Sequence, residues 1–141
     1  MYTHILLPVD LEDAASSAKA LEAAVTHAKA SGATLHVMTV VPDFGMSVVG
    51  SFFPDDFAEK ALAETAKHLD AYVSANVPDG VTAQKLVTQG RIYNEIISTA
   101  DSVKADLIVM SAHRPDVSNY LLGSNAARVA RHAKQSVLII R

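Results

Sequence analysis

Apolar positions along this chain fall into short two-sided runs separated by longer one-sided stretches. Residues 2–10, YTHILLPVD, place Ile5, Leu6, Leu7 and Val9 on both faces of an extended segment, which predicts a buried strand. The next stretch, EDAASSAKALEAAVTHAKASG, carries Ala14, Ala18, Leu21, Val25 and Ala28 at helical spacing and predicts one helix, with Gly32 as its stop. ATLHVMTVVP reads as a second strand, rich in Val and Thr. Asp43 to Asp56 holds two glycines and a proline, too irregular for a regular element and too apolar for an ordinary solvated loop. A second helix is predicted from about Asp56 to Asn76, with Ala58, Leu62, Thr65, Leu69 and Tyr72 on one face. Asp55-Asp56 would place negative charge at its start.

The second half repeats this alternation. Pro78–Gly80 reads as a turn, and VTAQKLVTQG as a half-buried strand. Ile92, Ile96, Ala100 and Val103 give the next helix its face. DLIVM predicts a fully buried strand, SNAARVARHA a helix with Ser124 as N-cap, and SVLII a last strand. The order β-α-β-α-β-α-β-α-β implies one doubly wound, five-stranded parallel sheet with helices on both faces. Such sheets bind ligands outside the carboxyl ends of their strands, where the strand order reverses. That edge should carry Pro8 to Asp10, Val41 and the loop after it, Gly90, and Ser111 to Arg114.

Composition narrows the function classes. A chain of 141 residues can bury the core of a single domain, spanning 1–141. The net charge of −3 argues against a general nucleic-acid binder. The absence of cysteine excludes disulfides, thiolate zinc sites and cysteine nucleophiles. MYTHILLPVD does not read as a signal peptide, and no apolar run approaches the roughly 20 residues that span a bilayer. The expectation is a soluble cytoplasmic protein without a membrane partner.

Candidate chemistry concentrates near the end of the chain. Gly123-Ser124-Asn125 opens a helix, whose first N–H groups and partial positive charge suit a phosphate. A turn with a serine cap satisfies the same residues. His113 and Arg114 follow the buried strand at the ligand-bearing edge, and a guanidinium offers a fork of donors for phosphate. Pro115-Asp116 would turn the chain back. Asp10 closes the first strand, where its carboxylate can accept from a ribose hydroxyl or base amine, or cap a helix. Val9, Val40 and Val41 offer backbone groups and an apolar wall suited to a flat purine or to a core.

Catalytic readings find little support. The sequence has no Gly-x-Ser-x-Gly elbow, no P-loop and no Gly-x-Gly-x-x-Gly turn after the first strand. Its histidines, at 4, 27, 36, 68, 113 and 132, lack the spacing of a helical metal pair. His4 and His36 on strands read as packed histidines. No catalytic residue and no metal ligand is assigned.

The opening Val9-Asp10, the segment GRIYNEIISTADSVKADLIVMSAHR and the closing LLGSNAARVARHAKQSVLII together resemble a single-domain universal stress protein along essentially the whole chain. The resemblance implies a Rossmann-like, adenine-nucleotide alpha-hydrolase-like fold with strand order 3-2-1-4-5. ATP-binding members carry Gly-x2-Gly-x9-Gly-[Ser/Thr]. Here Ser111 and Arg114 stand at the first two glycine positions, eight residues separate Arg114 from Gly123, and Gly123-Ser124 match the final pair. SAHRPDVSNYLLGSNAA is similar to a branch that spells this loop SHRPD…YLLGSNAA.

On this resemblance Pro8, Val9, Asp10 and Val41 would face the adenine or ribose, and Gly90 would give the nucleotide room. Ser111, His113, Arg114, Gly123, Ser124 and Asn125 would hold the phosphates of ATP, with Mg²⁺. Gly45 to Phe53 would cover the pocket or meet a partner subunit. The last strand, Val137–Ile140, would form a homodimer, from which a tetramer could be built. The expected function is an ATP-binding stress-response module with at most weak ATPase activity. A dimeric scaffold or small-ligand binder of the same fold and a slow ATP hydrolase are the alternatives.

Overall fold

The computed structural model describes residues 1–41, 57–112 and 123–141. His113, Arg114, Pro115-Asp116, Asp55-Asp56 and the Gly45 to Phe53 segment lie outside the described residues. The elements are β1 (His4–Pro8), a 3-10 segment (Leu11–Ser17), α1 (Ala18–Ser31), β2 (Thr34–Val41), α2 (Phe57–Asn76), β3 (Ala83–Gln89), α3 (Ile92–Ser102), β4 (Leu107–Ser111), α4 (Ser124–His132) and β5 (Ser136–Ile140).

The five strands form one sheet in the order β3-β2-β1-β4-β5, with every pairing parallel. β1 lies at the centre, where Leu6 sits beside His36 of β2 and Ile108 of β4. The chain winds outward through β2 to β3, then crosses back to β4 and β5. Right-handed crossovers in opposite directions place their helices on opposite faces. The core divides accordingly. Ile5, Leu7, Leu35, Val37 and Val109 pack with Leu21 and Ala24 of α1 and with Leu69 and Val73 of α2. Leu6, Met38, Ile108 and Met110 pack with Ile96 and Ala100 of α3 and with Ala126 and Val129 of α4. This two-sided burial is why the central strands read as continuous apolar runs. β3 and β5 lie at the edges and are only partly buried.

Three details depart from the sequence reading. The helix expected from Glu12 is interrupted: Asp13 has φ −136° and ψ 65°, and the α-helix starts only at Ala18. Side chains compete with the helix here, since the Asp10 carboxylate accepts the Glu12 N–H at 3.0 Å and the Ser16 hydroxyl donates to the Asp13 carbonyl at 2.7 Å. In consequence Ala14 and Ala18 are exposed, and the buried stripe is Ala20, Leu21, Ala24 and Ala28. Finally, the N-cap of α4 is Gly123 (φ −57°, ψ 152°), not Ser124, which already belongs to the helix. Gly32 does end α1, in the left-handed conformation at φ 68°.

Candidate functional site

Reversal of the strand order at β1 opens a crevice at the carboxyl edge of the sheet. It holds a cavity of about 870 Å³. Pro8, Val9, Asp10, Val41 and Ser111 line it from the strand ends, and Gly123, Ser124 and Asn125 from the start of α4. These are eight of the eleven site residues named from the sequence. Gly90 does not line the cavity. It turns the chain from β3 into α3 at φ +145°, where a Cβ would meet the Glu95 side chain at 3.0 Å. Its N–H donates to the Val41 carbonyl at 3.1 Å, which ties that turn to the end of β2. His113 and Arg114 lie outside the described residues.

The individual contacts refine what each residue can offer. Asp10 is exposed at the cavity and also caps the 3-10 segment through its Oδ1, so the cap and a cavity-facing carboxylate are compatible. Both backbone groups of Val9 are engaged: its N–H donates to the Met38 carbonyl at 2.8 Å, and its carbonyl accepts from the Thr39 hydroxyl at 2.9 Å. The sequence reading has Val9 offer backbone groups to a ligand. The geometry uses them to join β1 to β2 instead.

The cavity is two-sided in character. Val40, Ile92, Ile96 and Met110 supply apolar surface from the side of α3 and β4. Thr65 and His68 of α2 supply polar groups from the opposite layer, with His68 Nε2 lying 3.4 Å from Glu64 Oε1. The spacing of Ala61, Thr65 and His68 puts one stripe of α2 on the cavity. Sequence reasoning did not single out Thr39, Thr65, His68 or Ile92 as site residues. Thr65 and Ile92 had appeared only as members of helix faces, and their place at the strand ends depends on how the layers stack.

At the start of α4, Ser124, Asn125 and Ala126 all border the cavity, and among the described residues no side chain caps the helix. The backbone N–H groups of a helix's first turn have no intrahelical acceptors, and the dipole adds positive potential there. The Tyr93 ring beneath the Arg128 guanidinium, 4.9 Å from its centroid, holds α4 against α3. Among the described residues no group of three or more His, Asp or Glu side chains is arranged to hold a metal.

Among the described residues, the ionisable groups with displaced pKa values lie outside the cavity lining. Burial, then the neighbouring His4, lowers that of His36. Burial raises that of Tyr72. Burial pushes the Asp106 carboxyl upward, but hydrogen bonds from Thr3 and His4 outweigh it and hold the group below its ordinary value. Asp106 thereby fastens the start of β4 to that of β1, at the sheet edge opposite the cavity.

Comparison with known proteins matches this architecture to one family. Residues 1–141 match the model of the universal stress protein family. Universal stress protein G of Shigella flexneri is 32% identical over 143 residues, covering 100% of both chains. The structure of universal stress protein UspA from Lactobacillus plantarum superimposes with a TM-score of 0.72 at 25% identity, covering 99% of this chain and 98% of that one. A universal stress protein crystallised in complex with cAMP gives a TM-score of 0.63 at 28% identity, covering 99% and 97%. With a full-length family match, a full-length relative and the 3-2-1-4-5 sheet in agreement, the chain belongs to the universal stress protein family.

Proposed function

We propose that this protein is an adenine-nucleotide-binding regulatory module, with ATP as its ligand. The observation that carries the reading is the first turn of α4, opened by Gly123, which borders a cavity of about 870 Å³ at the switch point of the sheet. A phosphate fits there because the N–H groups of a helix start are donors already fixed in place. In this reading Gly123, Ser124, Asn125 and Ser111 receive phosphates, joined by His113 and Arg114 of the adjoining loop. Asp10 accepts from the ribose, and the wall of Pro8, Val9 and Val41 limits the base. The complex of a 28% identical relative with cAMP supports an adenine nucleotide as the ligand class. A Mg²⁺ ion would be bound through the phosphates and would neutralise part of their charge.

The module regulates by occupancy rather than turnover, and assembles through β5. Among the described residues that strand pairs only with β4, leaving an edge, and Val137 to Ile140 are half-buried apolar side chains. An edge of this kind suits strand pairing with a second copy.

Calorimetric titration of the purified protein with Mg-ATP, AMP and cAMP tests the reading. Micromolar binding of ATP, weaker for AMP, is the expected result. Absence of heat and of any thermal shift with all three would overturn it and leave a scaffold of the same fold.

A further inference from the structure

We propose that Ile92 is the residue that grips the base, so that it, rather than Val9 or Val41, sets affinity at the base end of the cavity. The inference rests on the nucleotide reading above. Accessible surface decides between the candidates. Val9 and Val41 are only 7% and 6% exposed, so their side chains are spent on the core and present little to a ligand. Ile92 is 46% exposed and, with Met1, is one of two large apolar side chains exposed among the described residues. Unlike Met1, it lines the cavity.

Its presentation is built into the fold. Ile92 is the first residue of α3, and Arg91 is the N-cap. Gly90, at φ +145°, makes the turn into the helix, and its N–H is bonded to the Val41 carbonyl at 3.1 Å. One helical turn on, Ile96 is 1% exposed and anchors α3 in the core. The helix is therefore held in the core, while Ile92, like Val40 of β2, lines the cavity. The start of α4, by contrast, supplies helix-terminal N–H groups. A ligand that carries both an apolar ring and a phosphate is matched by a cavity lined by both kinds of group, because covering the Ile92 surface with a flat ring removes apolar area from water.

Adenosine, AMP and ATP titrated into wild type, Ile92→Ala and Ile92→Leu provide the test, with thermal melting confirming the fold. The expected result is that Ile92→Ala weakens all three ligands by about the same factor, about tenfold, while Ile92→Leu binds like wild type. Unchanged affinity in Ile92→Ala would overturn the role of Ile92 and leave the nucleotide reading standing. So would a loss confined to ATP, which would place the contact at the phosphate end. Wild type that binds none of the three would overturn the nucleotide reading itself, and this inference with it.

Discussion

The Thr39 hydroxyl donates a buried hydrogen bond of 2.9 Å to the Val9 carbonyl, 30 residues earlier in the chain. It closes the gap where β1 has ended and β2 continues, at the floor of the cavity. Thr39→Val keeps the shape but leaves the Val9 carbonyl without its donor. The expected cost is about 1–2 kcal/mol of stability, read as a lower urea midpoint, with Thr39→Ser close to wild type. Equal midpoints for wild type and Thr39→Val would show that the bond contributes nothing net.

His4 Nδ1 and His36 Nε2 lie 3.0 Å apart, and the pair holds one hydrogen between them. Burial first, and then the charge of His4, keeps His36 below its ordinary value. The unfolded chain therefore takes up a proton that the folded one refuses. Stability is complete above about pH 6.5 and is lost as pH falls from there toward the lower, folded-state value. Urea denaturation from pH 8 to pH 5 should show this decline, and His36→Gln should flatten it. The same slope in the variant would assign the decline to other groups.

Arg114→Ala addresses the phosphate end of the proposed site. Removing a charge-assisted contact of about 1.5–3 kcal/mol should weaken ATP more than tenfold and leave the melting temperature unchanged. Calorimetry on the variant is the check, and wild-type affinity would take Arg114 out of the site.

The proposed β5 interface yields to charge. If β5 pairs two copies as proposed, Leu138→Lys or Ile140→Lys should sediment as monomer where wild type sediments as dimer. Both side chains also pack against the core layer that includes α1. Melting curves are therefore measured beside the sedimentation, and a folded variant that still sediments like wild type would count against the interface.

The sequence by itself determined the alternation of strands and helices, since two-sided apolar runs such as Ile5-Leu6-Leu7 and Leu107 to Met110 suit only strands covered on both faces. From that alternation followed the ligand-bearing edge, and with it Asp10, Ser111 and Gly123 to Asn125 as neighbours across more than 100 residues of chain. Only the tertiary structure decided which groups at that edge are already in use. The Val9 carbonyl is taken by Thr39, and Val41 is nearly covered, while Ile92 is left in the open. It also decided that His4 meets His36, two positions that the pattern of apolar residues treats as independent. Periodicity reports which face a residue occupies. Strand register and the stacking of layers settle what that residue touches, because those contacts join residues far apart in sequence.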